Sequence, residues 1–174
     1  MSNYAFIDSQ NLYLGVQSQG WEIDYAKLRL YLKNKFNVEK AFLFIGYIPK
    51  NNAIYTSLQK DGFILVFKPT ISYMTEGKRT QKGNVDVELV LYAAAIEYEN
   101  YDKAIIISGD GDFACLADFL IQKDKLLRIL TPNLKYSKLL SKFNGQILPF
   151  HNCKKSIKKP ASAVGLNLRR SWLW

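Results

Sequence analysis

Short, uninterrupted apolar runs alternate along this chain with segments whose apolar residues recur every three or four positions. Runs of the first kind, rich in Ile, Val, Phe and Leu, fall at residues 4–8, 40–47, 63–67, 103–108, 126–130 and 146–150. Apolar on every residue rather than every second one, they predict strands covered on both faces, as in a parallel sheet between two layers of helices. Segments of the second kind fill the intervals. Asp24 is placed to cap a helix over 25–36, with Leu28, Leu32 and Phe36 on one face. Asn84 precedes another, in which Val85, Leu89, Tyr92 and Ile96 form a stripe and Ala93 to Ala95 favour helix. A third follows Asp112, with Phe113, Leu116 and Leu120 as its apolar side. The alternation predicts an α/β domain with a central, mainly parallel sheet of five to six strands.

Two stretches break the pattern. Residues 68–84, "KPTISYMTEGKRTQKGN", predict a long polar, basic loop, and loops of that length in compact domains are usually functional or disordered. From His151 onward "CKKSIKKPASAVG" has the composition of a flexible segment, ending in "LNLRRSWLW". The expected organisation is one domain over 1–150 and a basic tail over 151–174. None of the apolar runs approaches the roughly 18 residues of a bilayer span, so no membrane association is expected. The strand pattern begins within about four residues of Met1, which leaves no room for a signal peptide and points to the cytoplasm. Cys115 and Cys153 belong to no zinc-ribbon spacing, and His151 beside Cys153 reads as an ordinary strand end rather than a metal pair.

Charge adds a partner. The net value is +9, from 24 Lys and Arg against 15 Asp and Glu, which suits a polyanion such as nucleic acid. Six of those bases and no acid lie in 151–174, so residues 1–150 keep 18 bases and are only mildly basic.

The candidate chemistry is acidic. Asp8 ends the first strand inside "FIDSQNLY", and in a parallel sheet ligand-binding loops gather at that end. Strand 103–108 ends in "IIISGDGDFACLADFL", where Ser108, Asp110 and Asp112 share one turn whose glycines, 109 and 111, suit a tight bend and close approach of a ligand. Asp86 stands in the first turn of its helix. Three of the four acids also have a plain structural reading: Asp8 or Ser9 and Asp112 as helix caps, Asp86 as a partner of the helix dipole. Carboxylates about 4 Å apart repel by roughly 4 kcal/mol per pair at an effective dielectric near 20, so a cluster of them calls for a cation. Mg²⁺ or Mn²⁺ suits oxygen donors of this kind.

"FIDSQNLY", "KGNVDVELVLYAAA" and "IIISGDGDFACLADFL", in this order and spacing, resemble NYN domains of the PIN-like nuclease superfamily, in particular the LabA-like branch. The likeness spans roughly residues 3–150. It implies a PIN-like three-layer sandwich, a metal site of Asp8, Asp86 and Asp110, and Asn11 in the cleft orienting substrate or an acidic ligand. It places Ser108 and Asp112 as supporting or additional ligands and Lys82 on phosphate. It further implies hydrolysis of RNA, single-stranded rather than duplex. Lys68, Lys78, Arg79 and Lys82 of the basic loop, with Tyr73 for stacking, read equally as holding that strand or as a solvated basic loop.

Other acidic α/β sites fail by residue. A haloacid-dehalogenase-type phosphatase wants an aspartate two positions after the first, where this chain has Gln10; an adhesion-type metal site wants D-x-S-x-S, where it has Asp8-Ser9-Gln10-Asn11-Leu12. A non-catalytic module binding RNA or protein and a nuclease acting on DNA stay open, as does a homodimer through "SWLW".

Overall fold

The computed structural model describes residues 2–68, 71–75, 78–82 and 85–160. Its elements, in order, are β1 (Asn3–Asp8), α1 (Ser9–Gln17), α2 (Tyr25–Phe36), β2 (Val38–Gly46), α3 (Asn52–Lys60), β3 (Ile64–Lys68), β4 (Ile71–Thr75), β5 (Lys78–Lys82), α4 (Asp86–Leu91), β6 (Lys103–Ile107), α5 (Ala114–Gln122), β7 (Leu126–Thr131), β8 (Ile147–Pro149) and α6 (Lys154–Ile157). Six strands form one parallel sheet in the order β3-β2-β1-β6-β7-β8. All six expected strands are present, and the α/β sandwich with helices on both faces is the observed architecture.

Side chains alternate across a strand, so each strand feeds two cores. Ala5 and Ile7, Leu43 and Ile45, and Ile105 and Ile107 pack on one side with Leu12, Leu28, Leu32 and Leu58 from α1, α2 and α3. Tyr4 and Phe6, Phe42 and Phe44, and Ile106 pack on the other with Leu89, Leu116 and Leu120 from α4 and α5. The second layer is aromatic: the Phe6 and Phe42 rings stack at 5.6 Å between centroids. Both faces being buried accounts for the absence of alternation in the apolar runs.

Three expectations are corrected. Residues 68–84 are not one loop, because Ile71–Thr75 and Lys78–Lys82 pair as an antiparallel hairpin separate from the main sheet. The helix expected after Asn84 starts at Asp86, with Val85 as its cap residue and no side-chain cap bond. Its buried stripe is Val85, Leu89 and Ala93, whereas Ile96 is half exposed. The reason is a widened turn over Tyr92–Ile96: the Glu97 N–H reaches back to the Tyr92 carbonyl, and the Tyr101 hydroxyl donates to the carbonyl of Ala93 that this frees.

The tail expected to begin at 151 is packed as far as the structure describes it. Cys153 and Ile157 are buried, the Asp24 N–H donates to the Ile157 carbonyl, and Ile23 bridges Lys158. Apolar residues at 153 and 157, one helical turn apart, supply the anchor that a composition rich in lysine hides. Residues 161–174, with Arg169, Arg170, Trp172 and Trp174, lie outside the described residues. Among those described, no helix is long and apolar enough to cross a membrane.

Candidate metal centre

The sheet runs from β1 to β2 and β3 in one direction and from β6 to β7 and β8 in the other. Connections leaving β1 and β6 therefore diverge and open a crevice at their carboxyl ends. Asp8 closes β1 and Ser108 follows β6, and the pairing of Ile7 with Ile107 brings the two level.

Asp8 is 5% exposed and bound on both oxygens. Its Oδ1 accepts the Asn11 N–H at 3.1 Å, capping α1, and its Oδ2 accepts the Ser108 hydroxyl at 3.2 Å. The helix-cap reading of Asp8 is thus correct and coexists with a place in the site. Burial pushes its pKa up to about 6; the charges of Asp86 and Asp110 push the same way, while the bonds from Asn11 and Ser108 pull back.

Ser108 links the strands, since its Oγ also accepts the Asp110 N–H at 3.1 Å. Asn11 fixes the same turn by accepting the Gly109 N–H at 2.8 Å. It therefore lies in the cleft as expected, where its side-chain oxygen holds the backbone of the acidic turn. Asp110 Oδ1 accepts the Asp112 N–H at 3.1 Å and caps the turn over Gly111–Phe113. The capping role assigned to Asp112 thus belongs to Asp110, and Asp112 is exposed. The glycines also differ from expectation. Neither has positive φ, and a Cβ on Gly111 would sit 2.4 Å from Ser137 Oγ, so there the room is taken by the segment after β7, whereas Gly109 borders the cleft.

One carboxylate oxygen each from Asp86, Asp110 and Asp112 lie within 4.8 Å of one another. An all-oxygen set of this kind fits a hard divalent cation and no soft one. Asp112 thus joins Asp86 and Asp110 in the cluster, and Asp8 stands behind it, near enough for the charges of Asp86 and Asp110 to bear on its own.

Asp8, Asn11, Asp86, Gly109 and Asp110 line a cleft of about 440 Å³. Asn133 and Lys135 line it too, and the sequence reading missed them. They follow β7, the next strand beside β6, and the rule that placed Asp8 and Asp110 at strand ends reaches "TPNLK" as well. Of the expected strand-holding cations, Lys68 ends β3 with its ammonium 3.0 Å from Glu88, on the helix of Asp86. Lys78, Arg79, Lys82 and Tyr73 lie on β4 and β5, and their side chains are outside the described ones. His151 is exposed, whereas Cys153 is buried with Sγ on the Phe150 carbonyl, so the two do not form a ligand pair.

The chain is 24% identical over 161 residues to the low amplitude and bright protein LabA of Synechococcus elongatus, covering 88% of this chain and 86% of that protein. Its fold matches the crystal structure of a protein of unknown function from Vibrio parahaemolyticus with a TM-score of 0.70, at 23% identity, over 91% of this chain and 96% of the other. An acidic trio at a sheet edge in such a fold is compatible with nuclease activity. The family model of the NYN domain matches residues 4–147, and the chain belongs to that family, within the PIN-like nuclease superfamily.

Proposed function

We propose that this protein is a divalent-metal-dependent nuclease that hydrolyses phosphodiester bonds in RNA, single-stranded in preference to duplex. The observation that carries the reading is the convergence of Asp86, Asp110 and Asp112, the first two of which line the crevice between β1 and β6. These three residues would hold Mg²⁺ or Mn²⁺, with Asp8 beside them. A cation bound there supplies Lewis acidity toward a phosphodiester and makes water a competent nucleophile.

The remaining steps belong to the chain's own groups. Ser108 and Asn11 fix the turn that carries Asp110, so two of the three acids sit on one rigid corner. Asp8, taking the Asn11 N–H on one oxygen and the Ser108 hydroxyl on the other, ties the start of α1 to the end of β6 behind the trio. Lys135 brings a cation to the cleft wall, where a phosphate of the substrate would be met. No nucleophilic side chain is required. The hairpin that follows β3 carries Lys78, Arg79 and Lys82, which would track the strand's backbone, with Tyr73 stacking on a base. The cytoplasm suits the two free thiols at Cys115 and Cys153, and a homodimer through "SWLW" is the proposed assembly.

Labelled single-stranded RNA, duplex RNA and single-stranded DNA incubated with the protein in Mg²⁺, Mn²⁺ or EDTA test the reading. Cleavage of the single-stranded RNA with either metal, abolished by EDTA and by Asp110→Asn, is expected. Binding of RNA without cleavage under any metal would replace the enzyme with a binding module, and faster cleavage of DNA would replace the substrate.

A further inference from the structure

Carboxylates are only part of the cleft's lining; α1 and the segment after β7 supply a wall of another kind. Gln10 and Leu14 of α1 border the cleft one helical turn apart, so their side chains are neighbours along one face of the helix. Leu14 is 44% exposed. Pro132 continues the wall, and a Cβ added to Gly15 would sit 2.6 Å from the Pro132 Cβ, so the two segments pack backbone to ring. Hydrogen bonds hold them there: the Gln19 side chain donates to the Pro132 carbonyl at 2.9 Å and Asn133 Nδ2 to the Gly15 carbonyl at 3.1 Å. The wall is preformed.

Its other carboxamides are engaged in the fold. Asn11 takes the Gly109 N–H on its oxygen, and Asn133, besides donating to Gly15, takes the Lys135 N–H at 2.8 Å. Gln10 differs. It is half-buried, and its carboxamide makes no hydrogen bond among the described residues. A free amide sets donors beside an acceptor, and the exposed leucine one turn away adds an apolar face. A phosphate would use only the donors, and a hydroxyl would leave the leucine idle. A nucleobase uses all of them, because its edge pairs a donor with an acceptor and its face is apolar.

We propose that Gln10 and Leu14 hold one base of a bound single strand, its face on Leu14 and Pro132 and its edge on the Gln10 amide. The proposal rests on the reading of the cleft as a nucleic-acid site. Each of the four bases sets a donor beside an acceptor on its Watson–Crick edge, and the amide can turn to match, so any of them fits. A base seated there sets the register of the strand against Asp86, Asp110 and Asp112.

The test compares a labelled single-stranded RNA with a ribose-phosphate strand of the same length that lacks every base. Binding of each to the full chain is followed by fluorescence anisotropy in Mn²⁺, with Asp110→Asn as the background so that the strand stays whole. The intact strand is expected to bind about 30-fold tighter than the bare one, from base contacts over the whole surface. Adding Gln10→Ala or Leu14→Ala is expected to cut that preference to about threefold while affinity for the bare strand holds. A preference that survives both substitutions, a loss that falls equally on the two strands, or no binding of the intact strand would overturn the proposal. Cleavage by the protein with Asp110 intact is scored apart: the expected preference without cleavage in any metal removes the nuclease and leaves the base contact standing.

Discussion

Two stretches of the same sheet edge end in opposite ways. At β1 and β6 the strands give way to Asp8, Ser108 and Asp110, and the edge is an open, acidic crevice. At β2 and β3 they give way to a packed aromatic group in which Tyr55 contacts Tyr47 and Phe67, the latter with centroids 4.8 Å apart. There the Tyr55 hydroxyl takes the Ile48 N–H at 2.8 Å, and the Tyr47 N–H closes onto the Lys68 carbonyl. Strand composition is alike on both sides; the difference lies in the direction of the connections. Where they diverge, a gap opens that polar groups line, and where they run the same way, side chains fill the edge. One edge is organised for charge and the other for packing.

The sharpest way to break this contrast is to neutralise one acid at the open edge. Asp86→Asn or Asp110→Asn should lower the metal-dependent cleavage rate by more than about 100-fold, or over roughly 2.7 kcal/mol of barrier. The melting temperature should hold or rise, because a repulsion is removed. At the packed edge the outcome should invert. Tyr55→Ala should cost about 3 kcal/mol in denaturant unfolding through lost contacts, with Mn²⁺ affinity unaltered.

The next effect separates the edges by pH. The folded-state pKa of Asp8, near 6, lies above its ordinary value of 3.8. Between those values the folded protein binds the proton and the unfolded chain does not, so the contribution of Asp8 to stability is fully present below about pH 4 and is lost as pH rises through 6. For this group the loss is about 3 kcal/mol. Asp8→Asn should flatten that part of the stability profile measured without metal, and Tyr55→Phe should leave it in place. The smallest effect expected is at the acidic corner's packing: Gly111→Ala should destabilise by roughly 1–3 kcal/mol as Ser137 is displaced, read as a shift of the unfolding midpoint.

The six strands and α2 were legible because burial on both faces and a 3.6-residue stripe leave direct marks in the sequence. The acids were legible as a group, since strand ends and helix starts must meet somewhere in a doubly wound sheet. What stayed hidden depends on cross-chain contacts. Asp110 rather than Asp112 caps its turn because Ser108 orients its backbone, and that follows from Asp8 lying level with Ser108. Gly111 is small to admit Ser137, which is 26 residues away along the chain. Lys135 lacked a motif of its own, and the Tyr92–Ile96 bulge depends on Tyr101 taking a carbonyl that no local pattern marks.

The central claim is that Asp86, Asp110 and Asp112 together form one divalent-cation site. Titration of Mn²⁺ into the wild-type protein and the three single Asn variants, followed by electron paramagnetic resonance of the free ion, tests it most directly. A saturable site in the wild type, weakened at least about tenfold in each of the three variants, is predicted. A wild type that takes up no Mn²⁺, or an Asp112→Asn variant that binds as the wild type does, would contradict it.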